Sequence, residues 1–113
     1  MNDCLFCLMV NGDIPITKVY ENEFVLAFRD ISPQAPVHIL VIPKQHIVSA
    51  ADITAENSHF VAKCFETIHE IAKSEGLSDG FRVITNSGAD GGQTVAHLHF
   101  HLLGGTQLGE RLV

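Results

Sequence analysis

Three histidines stand at alternating positions, His97, His99 and His101, in the stretch AHLHFHLLGG at residues 96 to 105. Leu98, Phe100 and Leu102 fill the gaps. Successive side chains of a strand point to opposite faces. As a strand, this stretch would carry three imidazoles on one face and a row of apolar groups on the other. The apolar row can anchor in a core while the imidazoles look into a site. Histidine is the side chain whose ordinary pKa lies near neutrality. Three together can bind a metal, carry protons or attack an electrophile. One buried histidine would read as a hydrogen-bonded core residue. Three, with apolar spacers and a Gly-Gly stop, are poorly explained as packing.

Metal hydrolysis, anion binding without turnover, and nucleophilic catalysis could each use this set. For metal, three neutral imidazoles could hold zinc with one open position. Residues two apart on a strand are separated by roughly 6.5 to 7 Å, which puts the outer pair too far apart to share one ion. Nucleophilic catalysis suits the spacing best. Only the middle imidazole is flanked on both sides, and each flank reaches a phosphate placed over it.

The chain leading to this stretch predicts an α+β fold with a five-stranded antiparallel sheet, one long helix and one short one. Residues 4 to 11 form the short helix, stopped by Asn11-Gly12. Strands follow over Lys18 to Glu21 and Phe24 to Arg29, joined at Asn22-Glu23. Residues 30 to 36 form a loop stiffened by Pro33 and Pro36. Val37 to Ile42 is the most β-prone run, a central strand closed by Pro43, with His38 near its start. The one clear helical period covers residues 55 to 75, with Phe60, Val61, Cys64, Phe65, Ile68, Ile71 and Ala72 on one stripe. Thr54 is its expected N-cap, Glu56 lies in its first turn, and Gly76 stops it. His59 and His69 on this helix read as surface or boundary residues. Phe81 to Asn86 predicts a further strand. The Gly-rich loop Ser87 to Thr94 then runs straight into the histidines, and its backbone can approach an anion closely.

The 113 residues fit a single domain, 1–113. Hydrophobic residues make up 46%, enough to fold. No apolar run is long enough to span a membrane, and the start, MNDCLFCLMV, lacks the basic flank of a signal peptide. A net charge of −6 argues against a nucleic-acid surface. Three cysteines, Cys4, Cys7 and Cys64, favour reduced thiols in a cytoplasm. Cys64 falls on the apolar stripe and reads as a core residue. Cys4 and Cys7 are one helical turn apart, so their thiols share a side. A redox pair would need a βαβ context, which is absent. A zinc half-site would need two further ligands, and the plain alternative is two buried thiols packing the helix.

The run His97-Leu98-His99-Phe100-His101-Leu102-Leu103 resembles the signature of the histidine triad (HIT) superfamily. Residues 30 to 38, then Val41-Ile42-Pro43-Lys44 and Gly91-Gly92-Gln93-Thr94, look like the branch of histidine triad nucleotide-binding proteins, purine nucleoside phosphoramidases of bacterial type. Several separated motifs in the right order cover nearly the whole chain. The resemblance implies a homodimer with a joined ten-stranded sheet. It implies hydrolysis of purine nucleoside phosphoramidates or related nucleotidyl compounds, releasing a purine nucleoside monophosphate, with no organic cofactor. His99 would be the nucleophile, forming a nucleotidyl-histidine intermediate. His101, His97 and His38 would complete the cluster around the phosphate. Asp30 would hold the ribose hydroxyls. Phe6, Ile14, Phe28 and Ile31 would line the base pocket. Asn86, Gln93 and Thr94 would face the phosphate. Some bacterial-type members hold structural zinc with residues matching Cys4, Cys7, His46 and His97. That would assign His97 to structure and electrostatics, since a ligating nitrogen cannot also carry a proton. Thr94 stands where the family usually has Ser, and the tail GTQLGERLV lacks a Trp that some members carry, so the resemblance leaves leaving-group preference open. A nucleotide-binding adaptor with incidental hydrolysis is the alternative function.

Overall fold

The computed structural model describes residues 4–113. The elements are α1 (Leu5–Val10), β1 (Lys18–Glu21), β2 (Val25–Arg29), β3 (Val37–Pro43), a 3-10 turn (Ala50–Asp52), α2 (Ser58–Ser74), β4 (Arg82–Ile84) and β5 (Phe100–Gly104). The strands form one antiparallel sheet in the order β1-β2-β3-β5-β4. This is the α+β architecture expected from the sequence, with the long helix inserted between the third and fourth strands. No helix among the described residues is long and apolar enough to cross a membrane.

The central strand β3 is apolar at every position but His38 because both of its faces are covered. Ile39 and Val41 pack with Val25, Ala27, Leu98, Phe100 and Leu102 against Cys64, Ile68 and Ile71 of α2. Leu40 and Ile42 turn the other way and pack with Leu26, Phe28 and Phe6 of α1. His38 shares the α1 side with Leu40, which lies opposite His101 in the register. Pairing therefore brings His38 and His101 to one face, under the short helix. Burial pushes the Cys64 thiol up to about 12, so it is an inert core group.

Several boundaries differ from the sequence-based expectation. Helix α2 starts at Ser58, because Asn57 clamps the preceding residues into a turn. Its Oδ1 accepts the Thr54 N–H at 2.7 Å and its Nδ2 donates to the Asp52 carbonyl at 3.1 Å. The Thr54 hydroxyl accepts from the Glu56 N–H within that turn, so Thr54 caps the turn and Glu56 lies outside the helix. The far end is as expected. Gly76 sits at φ +73° and donates to the Lys73 carbonyl, while Leu77 donates to that of Ala72, which closes the helix. Phe65 lies at the rim of the stripe, 47% exposed, with its ring edge-on to Phe100. Strand β2 starts after Phe24, because Asn22 Oδ1 takes the N–H groups of both Phe24 and Val25. Strand β4 spans only Arg82–Ile84.

The largest difference concerns the histidines. Of the three alternating histidines only His101 lies in a strand; His97 and His99 precede β5. Their backbone bonds elsewhere. Leu98 N–H donates to the Ile47 carbonyl at 2.6 Å, His97 N–H to that of Val95 at 2.8 Å, and the Thr85 hydroxyl to the His99 carbonyl at 2.8 Å. Strand β3 also runs through Pro43, which pairs with Val25. Proline is tolerated at that end, where its missing N–H is not needed.

Candidate active site and metal cluster

Cys4 is the N-cap of α1, and its Sγ accepts the N–H of Cys7 at 3.4 Å. One helical turn thus brings both thiols to the same side. His46, on the segment after β3, reaches Cys7 Sγ with Nδ1 at 3.2 Å. His97 is fully buried and points Nδ1 at Cys4 Sγ, 3.3 Å away, and at Cys7 Sγ, 3.5 Å away. All four donor atoms lie within 4.8 Å of one another. With Zn–S near 2.3 Å and Zn–N near 2.0–2.1 Å, a tetrahedral site has ligand–ligand edges of about 3.3–3.8 Å. The three sulfur–nitrogen separations of 3.2, 3.3 and 3.5 Å lie near that scale. The protonation pattern matches as well. His97 Nε2–H donates to the Pro43 carbonyl at 2.9 Å, which leaves the Nδ1 lone pair facing the thiols. Burial lowers the His97 pKa, against the pull of the Pro43 bond and with help from His46 and His99. Two thiols and two imidazoles form a closed set that fits zinc.

His99 follows two residues later and is tied to the His97 main chain. Its Nδ1–H donates to the His97 carbonyl at 2.7 Å. That fixes the tautomer and leaves the lone pair on Nε2. Phe6 stands edge-on to the His99 ring at 5.0 Å between centroids, and so limits its rotation. His101 is its neighbour, with ring centroids 5.2 Å apart.

His101 is wired through His38 to a backbone amide. The Gln34 N–H donates to His38 Nδ1 at 3.0 Å, so the proton of the neutral ring sits on Nε2. His38 Nε2–H then donates to His101 Nδ1 at 2.9 Å, which leaves His101 with its proton on Nε2. The Asp30 carboxylate lies beside this pair, 3.5 Å from His38 Nε2. Burial holds His38 below its ordinary pKa of 6.5 against the carboxylate. Burial, then the charges of His99 and His38, holds His101 below it too.

The other candidate residues are placed unevenly. Phe6 and Phe28 are buried and meet edge to face at 5.6 Å. Ile14 and Asp30 are half-buried, whereas Ile31 is 99% exposed. Asn86 is half-buried and Thr94 exposed. Gln93 uses both ends of its amide on the loop. Oε1 accepts the Gly88 N–H at 2.9 Å, and Nε2 donates to the carbonyls of Val48 and Val95. Sequence reasoning missed the backbone groups that orient the imidazoles, namely Gln34 N–H and the carbonyls of Pro43 and His97. Main-chain atoms carry no residue-type signal. The only hints were the two prolines around Gln34 and the proline at the end of β3.

A family model described as HIT domain matches residues 11–108. The purine nucleoside phosphoramidase of Escherichia coli strain K12 is 43% identical over 97% of this chain and 93% of its own length. The 14 kDa zinc-binding protein of Brassica juncea is 45% identical over 94% of this chain and 96% of its own. The solved structure of a histidine triad protein from Clostridium difficile superposes with a TM-score of 0.94 at 50% identity, covering 98% of this chain and 97% of that one.

The lowered pKa values of His38 and His101 have a consequence for stability. Well above pH 6.5 both rings are neutral, folded or unfolded. As the pH falls through that value the unfolded chain takes up protons that the folded state resists, so stability falls with pH. The thermal midpoint should drop between pH 7 and pH 5, and drop less in His101→Gln. Equal losses in the two proteins would contradict this assignment.

Proposed function

The chain belongs to the HIT domain family, and on that footing we propose that it is a hydrolase of purine nucleoside phosphoramidates or related nucleotidyl compounds, with His99 as its nucleophile. The observation that carries this is the 2.7 Å bond from His99 Nδ1 to the His97 carbonyl. It keeps the lone pair on Nε2 and accepts the positive charge that grows on the ring as the other nitrogen attacks. The named relatives support the substrate class.

In this proposal His99 Nε2 forms a bond to phosphorus and the bond from phosphorus to the leaving amine breaks, the amine taking a proton from solvent as it departs. Water then attacks phosphorus and gives up a proton to solvent, the phosphorus–His99 bond breaks, and a nucleoside monophosphate leaves. His101 offers its Nε2–H to the phosphate, where negative charge builds. The His38 bond holds His101 in that form. Low pKa values suit both rings to the neutral state this requires. Asp30 would take the ribose hydroxyls with the oxygen not engaged by the Ser32 N–H. Phe6, Phe28, Ile14 and the exposed Ile31 would border the base. Asn86 and Thr94 would face the phosphate, with Gln93 bracing the loop that carries Thr94.

Cys4, Cys7, His46 and His97 would hold a structural zinc ion. When bound, the ion ties α1 to the segments carrying His46 and His97. We also propose that two copies join across the edge strand β4, beside Phe65 and Phe81, which are 47% and 45% exposed.

Two measurements test these assignments. His99→Ala should lose at least about a thousandfold in kcat on an adenosine phosphoramidate while still binding adenosine monophosphate. Retained turnover in that variant would refute the nucleophile. Stripping zinc with a chelator should lower the thermal midpoint by about 10 °C, since a ligand at about a hundred times its Kd contributes about 2.7 kcal/mol. Activity lost with the midpoint unchanged would instead indicate a catalytic metal.

A further inference from the structure

Two clusters among the described residues bring possible metal donor atoms close together. One is Cys4, Cys7, His46 and His97; the other is Asp30, His38 and His101. In each, the donor atoms lie within 4.8 Å of one another. Two imidazoles and a carboxylate with open positions are a competent donor set for a transition metal. Spacing therefore does not explain why the second cluster should stay available for proton chemistry beside a zinc site.

Proton placement does. His97 meets a backbone acceptor, the Pro43 carbonyl, at Nε2, and this frees the Nδ1 lone pair for the thiol cluster. His38 meets a backbone donor, the Gln34 N–H, at Nδ1. Its own proton is thereby driven to Nε2, the atom at the centre of the second cluster, 2.9 Å from His101 Nδ1 and 3.5 Å from Asp30 Oδ2. An ion arriving there meets an N–H instead of a lone pair. Moving that proton to Nδ1 would set it against the Gln34 N–H, donor to donor. One imidazole is thus prepared for metal and the other against it, each by a main-chain group.

We infer that the backbone N–H of Gln34 is a positioning group with two effects: it excludes metal from Asp30, His38 and His101, and it holds the Nε2 proton of His101 ready for the phosphate. The loop is built to fix that amide. Pro33 precedes it, and the Gln34 side chain donates to the Ser32 carbonyl at 3.1 Å. The Ser32 N–H binds Asp30 Oδ1 at 2.7 Å, and the Asp30 N–H binds the His38 carbonyl at 3.0 Å. The second effect rests on the hydrolase proposal; the first does not.

The first test uses the unaltered, zinc-loaded protein. Long-range proton–nitrogen correlation spectra of the histidine rings should show His38 and His101 protonated on Nε2 and bare on Nδ1. A proton on His38 Nδ1 would overturn the inference. The second test counts zinc by equilibrium dialysis. The unaltered chain and Gln34→Ala, which keeps the amide, should bind no more than one ion each. Gln34→Pro, which lacks the N–H, should bind a second ion that Asp30→Asn abolishes. In Gln34→Pro that second ion should lower kcat about 10- to 100-fold, reversibly with a mild chelator. A second ion lost from the otherwise unaltered chain by His38→Gln, or a folded Gln34→Pro with one ion only, would overturn it. If Gln34→Pro does not fold, the spectra decide. If no form turns over a phosphoramidate, the hydrolase proposal fails, while ring protonation and zinc count still judge metal exclusion.

Discussion

The fully buried ring of His97 donates Nε2–H to the Pro43 carbonyl, and its own carbonyl receives the Nδ1–H of His99. Both halves of the site depend on this residue. On one side the Pro43 bond turns a lone pair toward the two thiols. On the other, the His97 main chain fixes the tautomer of His99. Leaving a buried polar group unpaired costs about 1–3 kcal/mol, so each of these bonds strongly prefers one proton placement. Strand β3 anchors the arrangement. It supplies the Pro43 carbonyl at one end and His38 at the other, and it pairs with β5, which carries His101.

The short helix α1 gains its importance from the same arrangement. Six residues are too few for a stable helix in isolation. Here Phe6 packs on Phe28 and against the rings of His97 and His99, while Cys4 and Cys7 approach His97 and His46. Helix, thiols and histidines stabilise one another. That mutual dependence makes the closed donor set part of the framework, with the His99 ring as a neighbour of the cluster.

The fold was legible because its signals were strong. The run VHILVIP is apolar at nearly every position, as a strand covered on both faces must be. The stripe through Cys64, Ile68 and Ile71 marked the long helix. The approach of Cys4, Cys7, His46 and His97 was readable only through resemblance, since ninety-three residues separate the first from the last. The strand expected to carry all three histidines carries one, because alternation of residue types does not reveal that Ile47 and Thr85 take up the backbone of residues 98 and 99. The tautomers were illegible for a similar reason. They are set by a Gln34 amide and two carbonyls, groups that every residue but proline, or every residue, possesses.

Direct attack of His99 on phosphorus is tested by the mass of the intact protein quenched in acid-free denaturant during turnover of an adenosine phosphoramidate. Direct attack predicts an added nucleoside monophosphate, labile in acid, that maps to His99 and is absent from His99→Ala. Product formation without any adduct under single-turnover conditions would contradict it and indicate direct attack by water.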